Sequence, residues 1–239
     1  MHKIFHSYKS PNYDERHGSV DMLVIHATNM AKEPSLARLC DPASKVSCHY
    51  VVTQNGEIYS LVDDQKRAWH AGQSAWRGRE QINNYSIGIE IVNPNHLLPE
   101  NKFTNEQMEA VIELCLDLIT KYKIQPYNIV AHSDIAPSRK DDPGQYFDWK
   151  LMAERGVGIW LSRSSPNSEA ATLHQGDSGE EVREVKRKLY EFGYKITQDD
   201  KFDQEMADIV VAFKRRFYQH DLAPSLDLGA LGVIESLPS

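Results

Sequence analysis

Two short apolar runs in this chain, Met22-Leu23-Val24-Ile25 and Ile129-Val130-Ala131, each end directly on a histidine, His26 and His132. Continuous apolar runs of this length mark strands buried on both faces of a sheet. Two central strands must then each carry an imidazole to a strand end, and the carboxyl edge of an α/β sheet is where such folds place ligands. The second histidine opens the segment His132-Ser133-Asp134-Ile135-Ala136-Pro137-Ser138-Arg139-Lys140-Asp141-Asp142-Pro143-Gly144. Its prolines fix φ and its glycine permits φ > 0, so this is a shaped loop that gathers imidazole, carboxylate and ammonium groups.

The rest of the first 161 residues alternates strand and helix patterns. Residues 49–53 and 57–62 flank Asn55-Gly56, a hairpin signal. Residues 86–92 read as a strand with Ser86, Gly88, Glu90 and Val92 on one face, which sets an acid among apolar neighbours. Thr104 and Gln107 have capping-box spacing and open a helix. Met108, Val111, Ile112, Cys115, Leu116, Ile119 and Tyr122 form its apolar stripe, and Pro126 lies beyond its end. Beyond Trp160 the composition changes to a Ser-rich stretch and then to purely helical stripes: Val182, Val185, Leu189, Phe192; Met206, Ile209, Val210, Phe213, Phe217; and Leu226, Ala230, Val233, Ile234. The expected fold class is α/β, a central mixed β-sheet flanked by helices, followed by a small three-helix domain. The expected boundaries are a first domain at 1–161, a linker at 162–175 and the helical domain at 176–239.

Charge and composition narrow the function. With a net charge of −7, a general basic surface for nucleic acid is not expected. No apolar run approaches the roughly 20 residues that span a bilayer. The first eight residues lack the apolar core of a secretory signal, so the expected compartment is cytoplasmic. The alternative is the periplasm or cell envelope, if a leader was removed or export is non-standard. The three cysteines, Cys40, Cys48 and Cys115, form no C-x-x-C pair, and Cys115 belongs to a helix core. Cys48 beside His49 invites a nucleophile reading, but a better constellation lies nearby.

That constellation is His26, His132 and a carboxylate ten residues further on, Asp142. Two imidazoles and one carboxylate leave a fourth tetrahedral position open, the pattern of a catalytic zinc site. Asp141 competes with Asp142 for the third place. Asp134 is a further carboxylate in reach, suited to capping the loop or orienting His132. Glu90 in an apolar setting would have a raised pKa and could move a proton; the competing reading is a buried ion pair to Arg67 or Arg139. Lys140 could stabilise an oxyanion; the competing reading is a solvated loop lysine.

Four segments carry a family resemblance: Asp21 to His26, Trp69-His70-Ala71-Gly72, Asn84 to Glu90, and the His132 to Gly144 loop. Together they resemble the zinc-dependent N-acetylmuramoyl-L-alanine amidases of the AmpD and AmiD type, which share a fold with bacteriophage T7 lysozyme and the peptidoglycan recognition proteins. The resemblance covers roughly residues 15–160. It implies one Zn2+ held by His26, His132 and Asp142, with Glu90 and Lys140 as catalytic residues and Tyr50 at the border of the site. It implies a peptidoglycan or muropeptide substrate, cut between N-acetylmuramic acid, or its 1,6-anhydro form, and L-alanine, in peptidoglycan turnover or recycling. The alternative is a recognition protein of the same fold that binds peptidoglycan without cutting it.

Trp69, His70, Ala71, Gly72, Trp76, Arg77 and Asn84 are the expected substrate contacts, since aromatic faces stack on sugars and arginine pairs with carboxylates; Trp69 and Trp76 have a competing reading as core residues. His49 reads as structural. Gly176 to Val182 and Ala212 to Phe217 resemble a three-helix peptidoglycan-binding domain, with Gln198 to Asp203 in place of its usual glycine-rich turn.

Overall fold

The computed structural model describes residues 3–161 and 172–238, so most of the expected linker at 162–175 lies outside the described residues. Its main sheet has the order β1-β5-β4-β9-β3-β10. These strands are β1 (Ile4–Phe5), β3 (Met22–Ala27), β4 (Tyr50–Val52), β5 (Ile58–Ser60), β9 (Ser86–Ile91) and β10 (Ile129–Ala131). Two small ribbons accompany it: β2 (Tyr13–Glu15) with β6 (Lys66–Ala68), and β7 (Ala75–Trp76) with β8 (Arg79–Glu80). The helices are α1 (Lys32–Cys40), α2 (Asn105–Tyr122), α3 (His132–Ile135), α4 (Trp149–Glu154), α5 (Glu180–Phe192), α6 (Gln204–Phe217) and α7 (Leu228–Glu235). The β4–β5 pair is antiparallel, closed by Gly56 at φ 77°, while β4, β9, β3 and β10 run parallel. The mixed sheet and the three C-terminal helices follow the alternation and stripes in the sequence.

His26 is the fifth residue of β3, inside the strand rather than after it. The strand period sets which face it takes. Leu23 and Ile25 pack with Val111, Ile112 and Cys115 of α2 on one face, while Met22 and Val24 belong to the cluster on the other. His26 shares parity with Met22 and Val24, so it faces away from α2.

Helix α2 is capped by Thr104, whose side chain accepts a hydrogen bond from Gln107 N at 3.1 Å. The other half of the expected capping box does not form. The Gln107 amide turns into the core and donates to Val92 O at 2.8 Å and Val52 O at 3.3 Å, fastening the helix to the ends of the sheet.

The C-terminal helices share one apolar cluster with the sheet, uniting Met22, Val24, Val130 and Trp76 with Leu189, Phe192 and Phe213. Two expected substrate contacts are corrected by this packing. Trp76 is wholly buried, with its ring edge-on to Phe192 and Tyr194 at centroid distances of 5.5 and 5.2 Å. Arg77 donates from its backbone N to Gly193 O at 2.8 Å and from Nη1 to Phe192 O at 2.7 Å. Both residues dock the C-terminal helices instead of facing a cleft. Gly193 permits the approach, because a Cβ there would lie 2.7 Å from the Trp76 ring. Trp76→Ala should lower unfolding free energy by about 3–5 kcal/mol, the usual cost of emptying an aromatic site in a core. Denaturant titration checks this.

Candidate metal centre

Parallel register puts His26 of β3 directly beside Glu90 of β9, on one face of the sheet. Strand β10, on the other side of β3, ends at Ala131 and hands the chain to α3, whose first residue is His132. The following loop folds back so that Ser133 N donates to Asp142 O at 3.1 Å. Three side-chain atoms converge as a result. His26 Nδ1 lies 2.9 Å from His132 Nδ1 and 3.3 Å from Asp142 Oδ2, and His132 Nδ1 lies 3.1 Å from Asp142 Oδ2. All three residues are buried. Ligand atoms about 2.0–2.2 Å from a tetrahedral ion sit roughly 3.3 Å from one another, so the spacing fits a metal. Asp141 points elsewhere, with Oδ1 3.4 Å from His96 Nε2.

The hydrogen bonds behind the ligand atoms set the ring tautomers. Ser86 Oγ donates to Ile82 O at 2.8 Å, so it accepts from His70 Nε2 at 3.2 Å. His70 Nδ1 is then an acceptor, and His26 Nε2 donates to it at 3.0 Å. His132 Nε2 donates to Ala71 O at 3.3 Å. Each imidazole has committed its outward N–H and turns an Nδ1 toward Asp142. A proton on one Nδ1 satisfies one of the three contacts; a cation satisfies all of them. Burial, followed by the neighbouring rings, pushes the His70 pKa well below its usual value, and burial with His132 brings His26 down to about 4.

Glu90 and Lys140 both border this group, in a cleft of about 450 Å³ that also includes Trp69, His70, His96, Arg139 and Asp141. Glu90 Oε2 is buried without a hydrogen-bond partner among the described residues. The competing ion pairs do not form: Arg67 bonds Asp14, and Arg139 bonds the carbonyls of Ala71 and Gln73. Burial and the Asp142 charge push the Glu90 pKa up to about 8, against the pull of Lys140. Cys48 is buried, and burial raises its thiol well above the usual range, away from a nucleophilic thiolate.

The remaining expected contacts divide. Trp69 is half-buried and lines the cleft. His70 also borders the cleft, but its ring nitrogens are engaged by His26 and Ser86, so the structure corrects it from a substrate contact to a support for His26. Ala71 is wholly buried and presents its carbonyl to His132, while Gly72 lies beside the Arg139 guanidinium; neither lines the cleft. Asn84 bonds Gln81 at 3.4 Å away from the cleft. Its neighbour Asn83, which sequence reasoning missed, accepts from both His70 N and Ala71 N through Oδ1, at 3.1 and 2.8 Å. Tyr50 is also corrected. It pairs with Ile89 rather than Glu90, so it takes the α2 face of the sheet, where its hydroxyl donates to Asp64 Oδ1 at 2.7 Å. His49 is structural, with Nδ1 accepting from Gly88 N at 3.0 Å.

Gly88 lets His70 lie flat on the sheet, because a Cβ there would meet the His70 ring at 2.4 Å. Gly88→Ala should displace that ring and weaken divalent-metal affinity by about 10–100-fold, the usual effect of losing a ligand's outer partner. Titration of the metal-free protein reads this directly.

Comparison with known proteins identifies the family. The profile of the N-acetylmuramoyl-L-alanine amidase family matches residues 16–145, and that of a peptidoglycan-binding domain matches residues 178–219. N-acetylmuramoyl-L-alanine amidase AmiD of Escherichia coli (strain K12) is 38% identical over 83% of this chain and 75% of its own length. The 1,6-anhydro-N-acetylmuramyl-L-alanine amidase AmpD of Haemophilus influenzae is 36% identical over 59% of this chain and 86% of its own. The solved complex of E. coli AmiD with anhydro-N-acetylmuramic acid-L-Ala-D-gamma-Glu-L-Lys superposes with a TM-score of 0.78 at 33% identity, covering 95% of this chain and 96% of that one. The matched segment holds His26, Glu90, His132, Lys140 and Asp142 together, and the chain belongs to the N-acetylmuramoyl-L-alanine amidase family.

Proposed function

We propose that this chain hydrolyses the amide bond between N-acetylmuramic acid, or its 1,6-anhydro form, and the L-alanine of the stem peptide. In this reading one Zn2+ is held by His26 Nδ1, His132 Nδ1 and Asp142 Oδ2. The observation that carries it is the convergence of those three atoms with both outward ring protons already committed. Bound zinc makes a water acidic near neutral pH and polarises a carbonyl. The chain's own groups supply the rest. Glu90, beside His26 with a free oxygen, takes a proton from the attacking water and returns it to the leaving amine nitrogen. Its carboxyl is pushed up to about 8 by burial and the Asp142 charge, and a divalent cation nearby would lower it, so that it could serve as both base and acid. The Lys140 ammonium stabilises the charge that develops on the carbonyl oxygen. Trp69 offers a ring face to the sugar. We propose a cytoplasmic compartment, which suits the three free cysteines; fractionating cells that express the native gene tests it.

Purified protein with zinc should release stem peptide from anhydro-muropeptide, and chelation should abolish release. Glu90→Gln should lower kcat by about 10²–10⁴-fold and Lys140→Ala by about 10²–10³-fold. A zinc-loaded protein that binds muropeptide and leaves it intact would be a recognition protein and would overturn this reading.

The Glu90 shift also predicts a pH dependence of stability in metal-free protein. The folded state keeps the Glu90 proton up to about pH 8, whereas an unfolded glutamate loses it near 4.5. Its contribution is complete below 4.5 and is lost as pH rises through 8. His26 has the opposite sign: its contribution is present above 6.5 and is lost as pH falls through about 4. Denaturant unfolding under chelator should show that Glu90→Gln flattens the decline between pH 6.5 and 8, above the window in which His26 acts. An unchanged slope would refute the assignment.

A further inference from the structure

Asp134 and Arg216 form an ion pair in which both side chains are wholly buried. Asp134 lies on α3, two residues after His132, and Arg216 lies on α6, among the C-terminal helices. Asp134 Oδ2 accepts from Arg216 Nη1 and from Ala131 N, both at 2.8 Å. Its Oδ1 accepts from Tyr194 OH at 2.7 Å. Arg216 Nη2 donates to Ile129 O at 2.8 Å, and the guanidinium lies over the Trp149 ring at 4.7 Å. Groups from the C-terminal part of the chain thus hold the Ile129 carbonyl ahead of His132 and the Asp134 side chain behind it.

We propose that Arg216 and Tyr194 are positioning residues for the metal centre: through Asp134, the C-terminal helices hold His132 in its ligating place. The inference rests on His132 as a metal ligand and extends it. Helix α3 has only four residues, too short to hold its own shape. Its first residue is His132, and the amide just before that residue is fixed by Asp134. An Asp134 carboxylate stripped of its buried partners would be driven toward water and would carry α3 with it. The apolar contacts of α5 and α6 would dock these helices without the ion pair; the Asp134 network is the part directed at the ligand. The C-terminal helices of this family member are then part of the metal site as well as a module appended to it.

The test measures zinc affinity of the full-length, metal-free chain by competition with a chromogenic chelator, together with kcat and KM on anhydro-muropeptide at limiting and excess zinc. Arg216→Lys should weaken zinc binding by about 10–100-fold, and Tyr194→Phe should weaken it less but in the same direction. Excess zinc should restore much of kcat with KM unmoved. Gln219→Ala removes a different contact between the two parts of the chain, the 2.8 Å bond to Phe147 O, and should leave zinc affinity unchanged. Arg216→Lys and Tyr194→Phe proteins that unfold cooperatively and bind zinc as tightly as the parent would overturn the proposal. Should Arg216→Lys fail to fold, Tyr194→Phe, which keeps the ring, decides alone. A parent protein that binds zinc but does not cleave would sink the amidase reading and leave this inference standing; one that does not bind zinc would sink both.

Discussion

The direction of the protons in the row Ile82–Ser86–His70–His26 is the constraint on which the site depends. A serine hydroxyl has one proton, and Ser86 gives it to a backbone carbonyl. That choice makes His70 a donor at Nε2 and an acceptor at Nδ1, and it makes His26 a donor away from the cleft. The inward nitrogen of His26 is left with a lone pair. His132 reaches the same state by a shorter route, the carbonyl of Ala71. Two buried lone pairs and a carboxylate facing one another are mutually repulsive without a positive charge among them, so the fold builds the demand for a cation into neutral backbone geometry.

The sheet register makes this row possible. Val24 pairs with Gly88 and His26 with Glu90, so the site face presents a glycine where His70 must lie and an acid directly beside His26. Moving β9 by one residue would place Ile89 beside His26 and turn Glu90 into the α2 core. The apolar alternation of β9 prevents this, because Ile87, Ile89 and Ile91 are wholly buried against α2. The packing of one face therefore fixes the chemistry of the other.

The sequence makes some of this legible and hides the rest for identifiable reasons. Apolar runs that end in histidine locate His26 and His132, because a buried central strand has a composition of its own. The choice between Asp141 and Asp142 depends on loop direction, which a run of two identical residues does not encode; in space Asp142 turns inward while Asp141 meets His96. Tyr50 is assigned to the border of the site by resemblance alone, with no alternation behind it, and the pairing with Ile89 puts it on the α2 face instead. Trp76 and Arg77 look like a sugar groove because an exposed platform and a docking surface use the same residues. Only the apposition of Phe192, Gly193 and Tyr194, more than a hundred residues away in sequence, distinguishes them. Asp134 lies inside the His132 to Gly144 segment, yet its buried partner is invisible without the third dimension.

Two carboxyl groups in one cleft, pushed apart in acidity, give the site its division of labour. Burial alone would raise Asp142, but the His132 and His26 rings beside it hold its carboxyl well below the usual range. Glu90 has burial and the Asp142 charge against it and only Lys140 in its favour, and it moves up. The group held ionised is the one set between the two histidine rings, and the group pushed toward its protonated form is the one left with an unpartnered oxygen among the described residues. Swapping the environments would swap the roles, as paired acids in a shared site generally divide between charge and proton transfer. Asp142 is therefore suited to stay charged and bind, and Glu90 to change charge and react, although the two residue types are chemically almost the same.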